Sequence, residues 1–270
     1  MHYKKPKKLA PLDATTNTKN KELIYGINTI EVLLNYDASR IITIFCEKKI
    51  NTITNPRIKK IFDIASGLQI SLQNVNVGVI DKWFDEHINH QGIAAQVTPT
   101  KFLVEEDLIA LATQTNLRKP LFLVLDNIQD PRNLGACIRN AAAFGISAVI
   151  ISRNATCGIT ATVKKSASGA AEIVPIAKVG NLDSCLKQLQ KQGVWVISLA
   201  ASHAQDLSSI DLKVPIALVL GSEDKGVRNI IQQHSDFLAK IPMVDNKIDS
   251  LNLSVATGIC LYEVHRQRFN

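Results

Sequence analysis

Ile241-Pro-Met-Val-Asp-Asn-Lys-Ile-Asp-Ser-Leu-Asn-Leu-Ser-Val-Ala256 lies near the C-terminal end of a chain of 270 residues. A short apolar run ends at Pro242, a polar loop follows, and an apolar helix is predicted from Leu253 to about Arg266. Ser250, Asn252 and Ser254 are small polar residues set against that apolar segment. The pattern is foreign to a plain connection and is expected of a ligand-binding loop.

Upstream of this stretch, short apolar runs alternate with helical stripes. Strands are expected at 121–125, 148–151, 173–176, 194–199, 216–220 and 237–241, and helices at 131–144, 160–168, 182–192 and 227–233. The run 121–125 is apolar at every position, as in a parallel strand buried on both faces. Repeated βα units predict an α/β fold with a parallel sheet covered on both sides. A smaller α/β pattern precedes it, with helices at 27–34 and 58–65, strands at 41–45 and 70–72, and a third strand after His90-Gln91-Gly92. The expected organisation is a basic arm at 1–21, a small α/β domain at 22–98, a linker at 99–118 that includes a helix at 104–113, and the parallel-sheet domain at 119–270. Lys4, Lys5, Lys7, Lys8, Lys19 and Lys21 sit in the arm with little that could pack, so it reads as disordered. Its lysines suit phosphate contacts or plain solubility.

The chain has 31 Lys and Arg against 24 Asp and Glu, a net charge of +7. That balance points to an anionic partner, nucleic acid first, or to an ordinary basic cytosolic protein. The 5 cysteines are scattered without a C-x-x-C pair, as expected of reduced thiols in the cytoplasm. No apolar run approaches the ~18 residues of a membrane span, and no apolar segment of a signal peptide follows the lysine-rich start.

Ligands of open parallel sheets bind beyond the carboxyl ends of the strands. Three such ends carry unusual polar residues. The first is followed by Asp126-Asn-Ile-Gln-Asp-Pro-Arg-Asn-Leu-Gly-Ala-Cys-Ile-Arg139-Asn-Ala, the second by Gly221-Ser-Glu-Asp-Lys-Gly226, and the third by the loop quoted above. Asp130-Pro131 makes a good helix start, and Arg139 falls one residue beyond the apolar stripe of that helix. Gly221 permits close backbone approach, and Glu223 is either a helix-start carboxylate or a functional one. Other chemistries lack their signatures. The Gly221 segment has no Lys-Ser/Thr of a P-loop, and neither a G-x-S-x-G elbow nor a G-x-G-x-x-G after a strand occurs. His87 and His90 are spaced for one helix face but lack a third ligand nearby, so no metal is expected.

Taken in order, the three segments resemble the three motifs of the SpoU (TrmH-like) RNA ribose 2′-O-methyltransferases. The resemblance runs from about residue 22 to 268 and is carried by Asn133-Leu-Gly with Arg139, by Leu220-Gly-Ser-Glu-Asp-Lys-Gly226, and by Ser250-Leu-Asn-Leu-Ser-Val-Ala256. Tyr25-Gly26 and His90-Gln91-Gly92 resemble that family's small substrate-binding domain, and Lys165-Ser-Ala-Ser-Gly-Ala-Ala-Glu172 resembles a further family segment. The resemblance implies a trefoil-knotted α/β fold, S-adenosylmethionine as cofactor, RNA as substrate and a homodimer. It would place Gly221, Ile241 and Leu251 against the cofactor, and Asn133, Arg139, Glu223, Ser250 and Asn252 in the catalytic and substrate pocket. The separate N-terminal domain favours ribosomal RNA over transfer RNA, and 23S ribosomal RNA with guanosine as the nucleoside is the favoured substrate. Transfer RNA and a non-catalytic ribosome-assembly role are the alternatives. The chain departs from the family pattern at Asn140, where a small Ser or Thr is usual, and in the loop before Ser250, which is one residue longer and carries Asp245 where glycine is common.

Overall fold

The structure is a computed structural model that describes residues 21–48, 55–84, 88–114, 118–200, 204–244 and 250–269. All of the basic arm but Lys21 lies outside the described residues, as do His87 and Asp245. The chain divides into two compact units, Met1–Pro99 and Thr100–Asn270.

The first unit contains β1 (Glu22–Tyr25), α1 (Ile27–Tyr36), β2 (Ile41–Glu47), α2 (Pro56–Gly67), β3 (Ser71–Val75) and β4 (Ile93–Val97). Its sheet has the order β1-β4-β2-β3, with β2 and β3 parallel and the other pairs antiparallel. The edge strand β1 is absent from the sequence reading. With 4 residues and a lysine-rich approach it carries too little alternation to be seen alone. Asn55 caps α2 by accepting from the Ile58 N–H at 3.3 Å, and Pro56 occupies the first helical position. Ile30 and Leu33 of α1, and Ile58 and Ile61 of α2, meet Ile44 of β2 in one core.

Two glycine turns of this unit are tied together. Gly26 has φ +89°, and Gln91 and Gly92 have φ +57° and +74°. The Gln91 side-chain oxygen accepts from the Ile27 N–H at 3.2 Å, and Gly26 N–H donates to the Ile93 carbonyl. His90, Asp81 and Glu47 come close enough for ligand atoms to lie within 4.8 Å of one another. The Gly92 N–H donates to His90 Nδ1 at 3.0 Å, which assigns the proton of a neutral ring to Nε2, 3.0 Å from Asp81. His90 braces the turn between the Gly92 amide and Asp81, in the tautomer unsuited to an Nε2 metal bond, while the Glu47 carboxylate accepts from the Gly78 N–H at 2.8 Å.

The second unit runs α3 (Glu105–Thr113), β5 (Leu121–Asp126), α4 (Pro131–Ala143), β6 (Ala148–Ser152), α5 (Ala161–Ser166), β7 (Ile176–Val179), α6 (Leu182–Lys191), β8 (Trp195–Leu199), β9 (Gln205–Asp206), β10 (Ile216–Gly221), α7 (Asn229–Gln233), β11 (Phe237–Lys240) and α8 (Leu253–Phe269). The sheet order is β7-β6-β5-β10-β8-β11-β9, and every neighbouring pair is parallel. Along β5, Leu121, Leu123 and Leu125 face one apolar layer while Phe122 and Val124 face the other. The continuous apolar run therefore has its cause in helices on both sides of the sheet. Helix α3, within the stretch expected as a linker, buries Leu108 and Ala112 in the second layer.

The strand expected at 173–176 begins only at Ile176. Ala170–Glu172 form a short 3-10 helix instead, and Pro175 has no N–H to enter a ladder. In the same region Lys164 and Glu172 are both buried and their charged groups lie 2.8 Å apart. At the far end of the unit, Arg268 of α8 donates to the carbonyls of Leu212, Val214, Lys119 and Pro120. Burial pushes its guanidinium down to about 10, so it remains charged at neutral pH.

Lys164→Met is expected to destabilise the protein by about 3–5 kcal/mol, because the buried Glu172 carboxylate loses its cation. Urea unfolding of the two proteins at neutral pH measures the difference.

A candidate active site at the carboxyl end of the parallel sheet

From β5 the chain builds the sheet outward through β6 to β7, then returns to lay β8, β10 and β11 on the other side of β5. The loops after β5 and β10 therefore leave in opposite senses at a topological switch point, the place beyond the strand ends where open parallel sheets bind their ligands. Gly221, the last residue of β10, is in register with Asp126, the last of β5.

The loop after β10 folds back on its own strand. A Cβ on Gly221 would stand 1.9 Å from the Gly226 carbonyl carbon, so only glycine allows the return. Gly226 N–H donates to the Ser222 carbonyl at 2.8 Å, and Gly226 itself has φ +63°. Asp126 anchors the end of this loop. Its carboxylate is fully buried and accepts from Arg228 N–H at 3.0 Å and from the Arg228 guanidinium at 2.8 and 2.9 Å. The sequence reading assigned neither residue a role. The available signal was a carboxylate ending a fully apolar strand, which requires a partner once buried.

Helix α4 starts as its sequence requires, with Asp130 accepting from Arg132 N–H at 2.8 Å and Pro131 at the first position. Asn133 lies in its first turn and donates from Nδ2 to Glu223 Oε1 at 2.8 Å. Asn252 donates to the same oxygen at 2.8 Å and to Asn133 Oδ1 at 3.3 Å. Leu253 N–H, at the start of α8, also reaches Glu223 Oε1 at 3.3 Å. Asn252 Oδ1 in turn accepts from Ser254 N–H at 2.9 Å, the geometry of an N-cap. One carboxylate oxygen thus joins the three loops, and the start of α8 favours its negative charge. Glu223 Oε2 makes no hydrogen bond among the described residues.

Arg139 stands apart from this trio. It lies six residues along α4 from Asn133, roughly 1.7 turns. Its guanidinium is exposed and donates from Nη1 to Ser168 Oγ at 3.2 Å. Asn140, the departure from the expected pattern, donates to the Ser254 carbonyl at 2.7 Å and ties α4 to α8. Ser250 is exposed, and Ile241 and Leu251 are half-buried on either side of residues 245–249. Those five, part of the longer loop between Pro242 and Ser250 and of the stretch 241–256 expected to belong to the knot, lie outside the described residues.

Two matches cover nearly the whole chain. Residues 120–262 match the SpoU rRNA Methylase family, and residues 23–103 match the RNA 2′-O ribose methyltransferase substrate-binding domain. The chain belongs to the SpoU rRNA methylase family. A SpoU relative from Pseudomonas aeruginosa, named 23S rRNA (guanosine-2′-O-)-methyltransferase RlmB, is 38% identical over 92% of this chain and 97% of its own length. The protein of the same name from Shewanella oneidensis is 40% identical over 93% of this chain and 99% of its own. An rRNA methyltransferase from Sinorhizobium meliloti, solved with AdoMet bound, superposes with a TM-score of 0.73 at 24% identity, covering 93% of this chain and 89% of that one. At that identity the likeness is one of fold.

Two thiols lie buried on the helices that frame this SpoU site. Cys137 sits on α4 against the Thr257 hydroxyl at 3.3 Å, and burial pushes its thiol up to about 11. Burial pushes Cys260 of α8 up to about 12. Both remain protonated at neutral pH and are poor nucleophiles.

Asp126→Ala is expected to cost about 2 kcal/mol, the loss of hydrogen bonds to a charged group. Hydrogen exchange should accelerate through residues 221–228 while the amides of β6 and β7 keep their protection, and mass spectrometry resolves the two regions.

Proposed function

We propose that this protein transfers the methyl group of S-adenosylmethionine to the 2′-hydroxyl of a guanosine ribose in 23S ribosomal RNA. The observation that carries the reading is the meeting of Asn133, Glu223 and Asn252 at one carboxylate oxygen, beside the strand-end crevice. The names of the close relatives supply the RNA and the nucleoside.

The residues at the crevice suit such a cofactor. Gly221 admits the return of its own loop at Gly226 and so leaves that loop's backbone at the strand end, and the half-buried Ile241 and Leu251 offer apolar contact. When bound, the cofactor supplies a methyl group already activated by its positive sulfur. The tasks left to the chain are binding, orientation and charge. Glu223 fixes the two asparagine amides: Asn252 spends its donors and acceptor within the site, and Asn133 keeps one N–H and one lone pair for the substrate. Ser250 adds a hydroxyl to the same rim. Arg139 binds the phosphate next to the target ribose and stabilises the alkoxide that develops as the 2′-oxygen forms its bond to carbon. A guanidinium stays protonated, so the hydroxyl proton goes to that phosphate or to water. The small N-terminal unit contacts the RNA.

The reading includes a homodimer. Helix α8 buries Leu253, Thr257, Cys260, Leu261 and Val264, yet Val255, Ile259 and Tyr262 on its other side are 50%, 39% and 57% exposed. An apolar stripe on an otherwise packed helix wants a cover. It borders the open groove lined by Ala136, Arg139 and Asn140, so a second copy would sit beside the site. A reducing compartment, the cytoplasm, suits the free cysteines.

Incubation with labelled S-adenosylmethionine should place label on 23S ribosomal RNA, at a 2′-oxygen of guanosine. Label on transfer RNA alone, or on no RNA, defeats the reading. Arg139→Lys is expected to lower kcat at least 100-fold with RNA still bound, because an ammonium cannot reproduce a bidentate fork. Light scattering should give twice the chain mass, and Ile259→Asp should give the monomer.

A further inference from the structure

The segment Lys165-Ser-Ala-Ser-Gly-Ala-Ala-Glu172 has no part in the chemistry described so far, yet it meets the reactive face at one atom. Arg139 donates to Ser168 Oγ at 3.2 Å. Ser168 is held in an unusual backbone state, φ +52°, and Gly169 follows at φ +89°. A serine in the left-handed region is uncommon, and surrounding structure has to impose it. Here the imposing contacts are visible. Ser168 N–H donates to the Lys165 carbonyl at 2.9 Å, and Gly169 N–H to the Lys164 carbonyl at 3.2 Å. The Lys164 ammonium and the Glu172 carboxylate, 2.8 Å apart and both buried, then strap together the two ends of the turn. Thr100 closes the pair by donating to Glu172 Oε2 at 3.2 Å and accepting from Lys164 Nζ at 3.3 Å.

A second feature sets this turn beside Arg139. Gly135 precedes Arg139 by four residues and so lies on the same face of α4. A Cβ on Gly135 would stand 2.5 Å from Ser166 Cβ and 2.7 Å from the Val163 carbonyl oxygen. The missing side chain lets α5 seat directly on α4, one turn below the arginine.

We infer that Ser168 is a positioning residue for Arg139, presented by a turn that the buried Lys164–Glu172 pair holds in its left-handed form. The Arg139 side chain is long, exposed and rich in rotamers, so without a fixed acceptor it would sample orientations away from the crevice. One hydrogen bond to an immobile hydroxyl narrows that set before RNA binds, and the remaining N–H groups are left for phosphate and alkoxide. The inference rests on the methyl-transfer reading given above.

Single-turnover and steady-state methyl transfer to a 23S ribosomal RNA fragment tests it on the full chain. Ser168→Ala should lower kcat about tenfold, with the KM for S-adenosylmethionine and the melting temperature unchanged. Ser168→Asn keeps an acceptor and tolerates the left-handed backbone, so it should return kcat to within about threefold of wild type. Lys164→Met with Glu172→Leu removes both charges together and should fold with the kcat of Ser168→Ala. A wild-type kcat in Ser168→Ala would overturn the inference, as would equal loss in the alanine and asparagine variants, or a loss that tracks the melting temperature. A wild-type kcat in the double variant would remove the strap. An unsubstituted protein that binds the cofactor and methylates no RNA would instead defeat the methyl-transfer reading, and this inference with it.

Discussion

Glu223 Oε1 is the atom on which the strand-end site depends. It receives Asn133 from α4, Asn252 from the last loop and the first amide of α8, three groups that lie 90, 29 and 30 residues away along the chain. A neutral acceptor would hold them less firmly, because hydrogen bonds to an ionised oxygen are roughly twice as strong. The carboxylate is in place only because its loop is pinned at both ends. Gly221 admits the return of the chain at one end, and Asp126 grips Arg228 at the other. Two acids thus serve in series. The buried one is structural and spends its lone pairs on a single arginine, and the exposed one gathers its partners on one oxygen.

Helix α4 is the second organiser. Each of its positions near the site answers to a different neighbour. Asn133 faces the loop after β10, Gly135 admits α5, Cys137 packs against Thr257 of α8, Arg139 meets the left-handed turn, and Asn140 grips the Ser254 carbonyl. Spacing on a helix explains the order, since residues three to four apart share a face. The helix is apolar where it rests on the sheet and polar along one flank, and the flank carries Asn133, Arg139 and Asn140. Asn140 shows why a departure from a family pattern can be read only in place. Its amide reaches a carbonyl that a shorter serine would not span in the same way.

The reaction proposed for this site asks little covalent chemistry of the protein. Burial raises the thiols of Cys137 and Cys260 on the two helices that frame the site. Orientation and fixed charge remain, and they suit a reaction whose electrophile arrives already activated.

Much of this protein was legible in its sequence. The apolar run 121–125, the Asp130-Pro131 start of α4 and the regular βα spacing specify a parallel sheet, because these patterns reflect local preference and burial. The three polar loops stood out for the same reason, since small polar residues among apolar ones need an explanation. What the sequence could not display is which of those residues touch. Asn133 and Asn252 are 119 residues apart, and Asp126 and Arg228 are 102 apart, so nothing local links them. The left-handed turn at Ser168 likewise sits over a buried ion pair between Lys164 and Glu172, whereas the displaced start of β7 has a local cause in Pro175, which has no N–H to enter a ladder. Sequence determined the elements and where polar chemistry leaves the sheet. Tertiary structure alone decided which carboxylate gathers the amides and which serine meets the arginine, because those choices depend on distances that only the folded sheet creates.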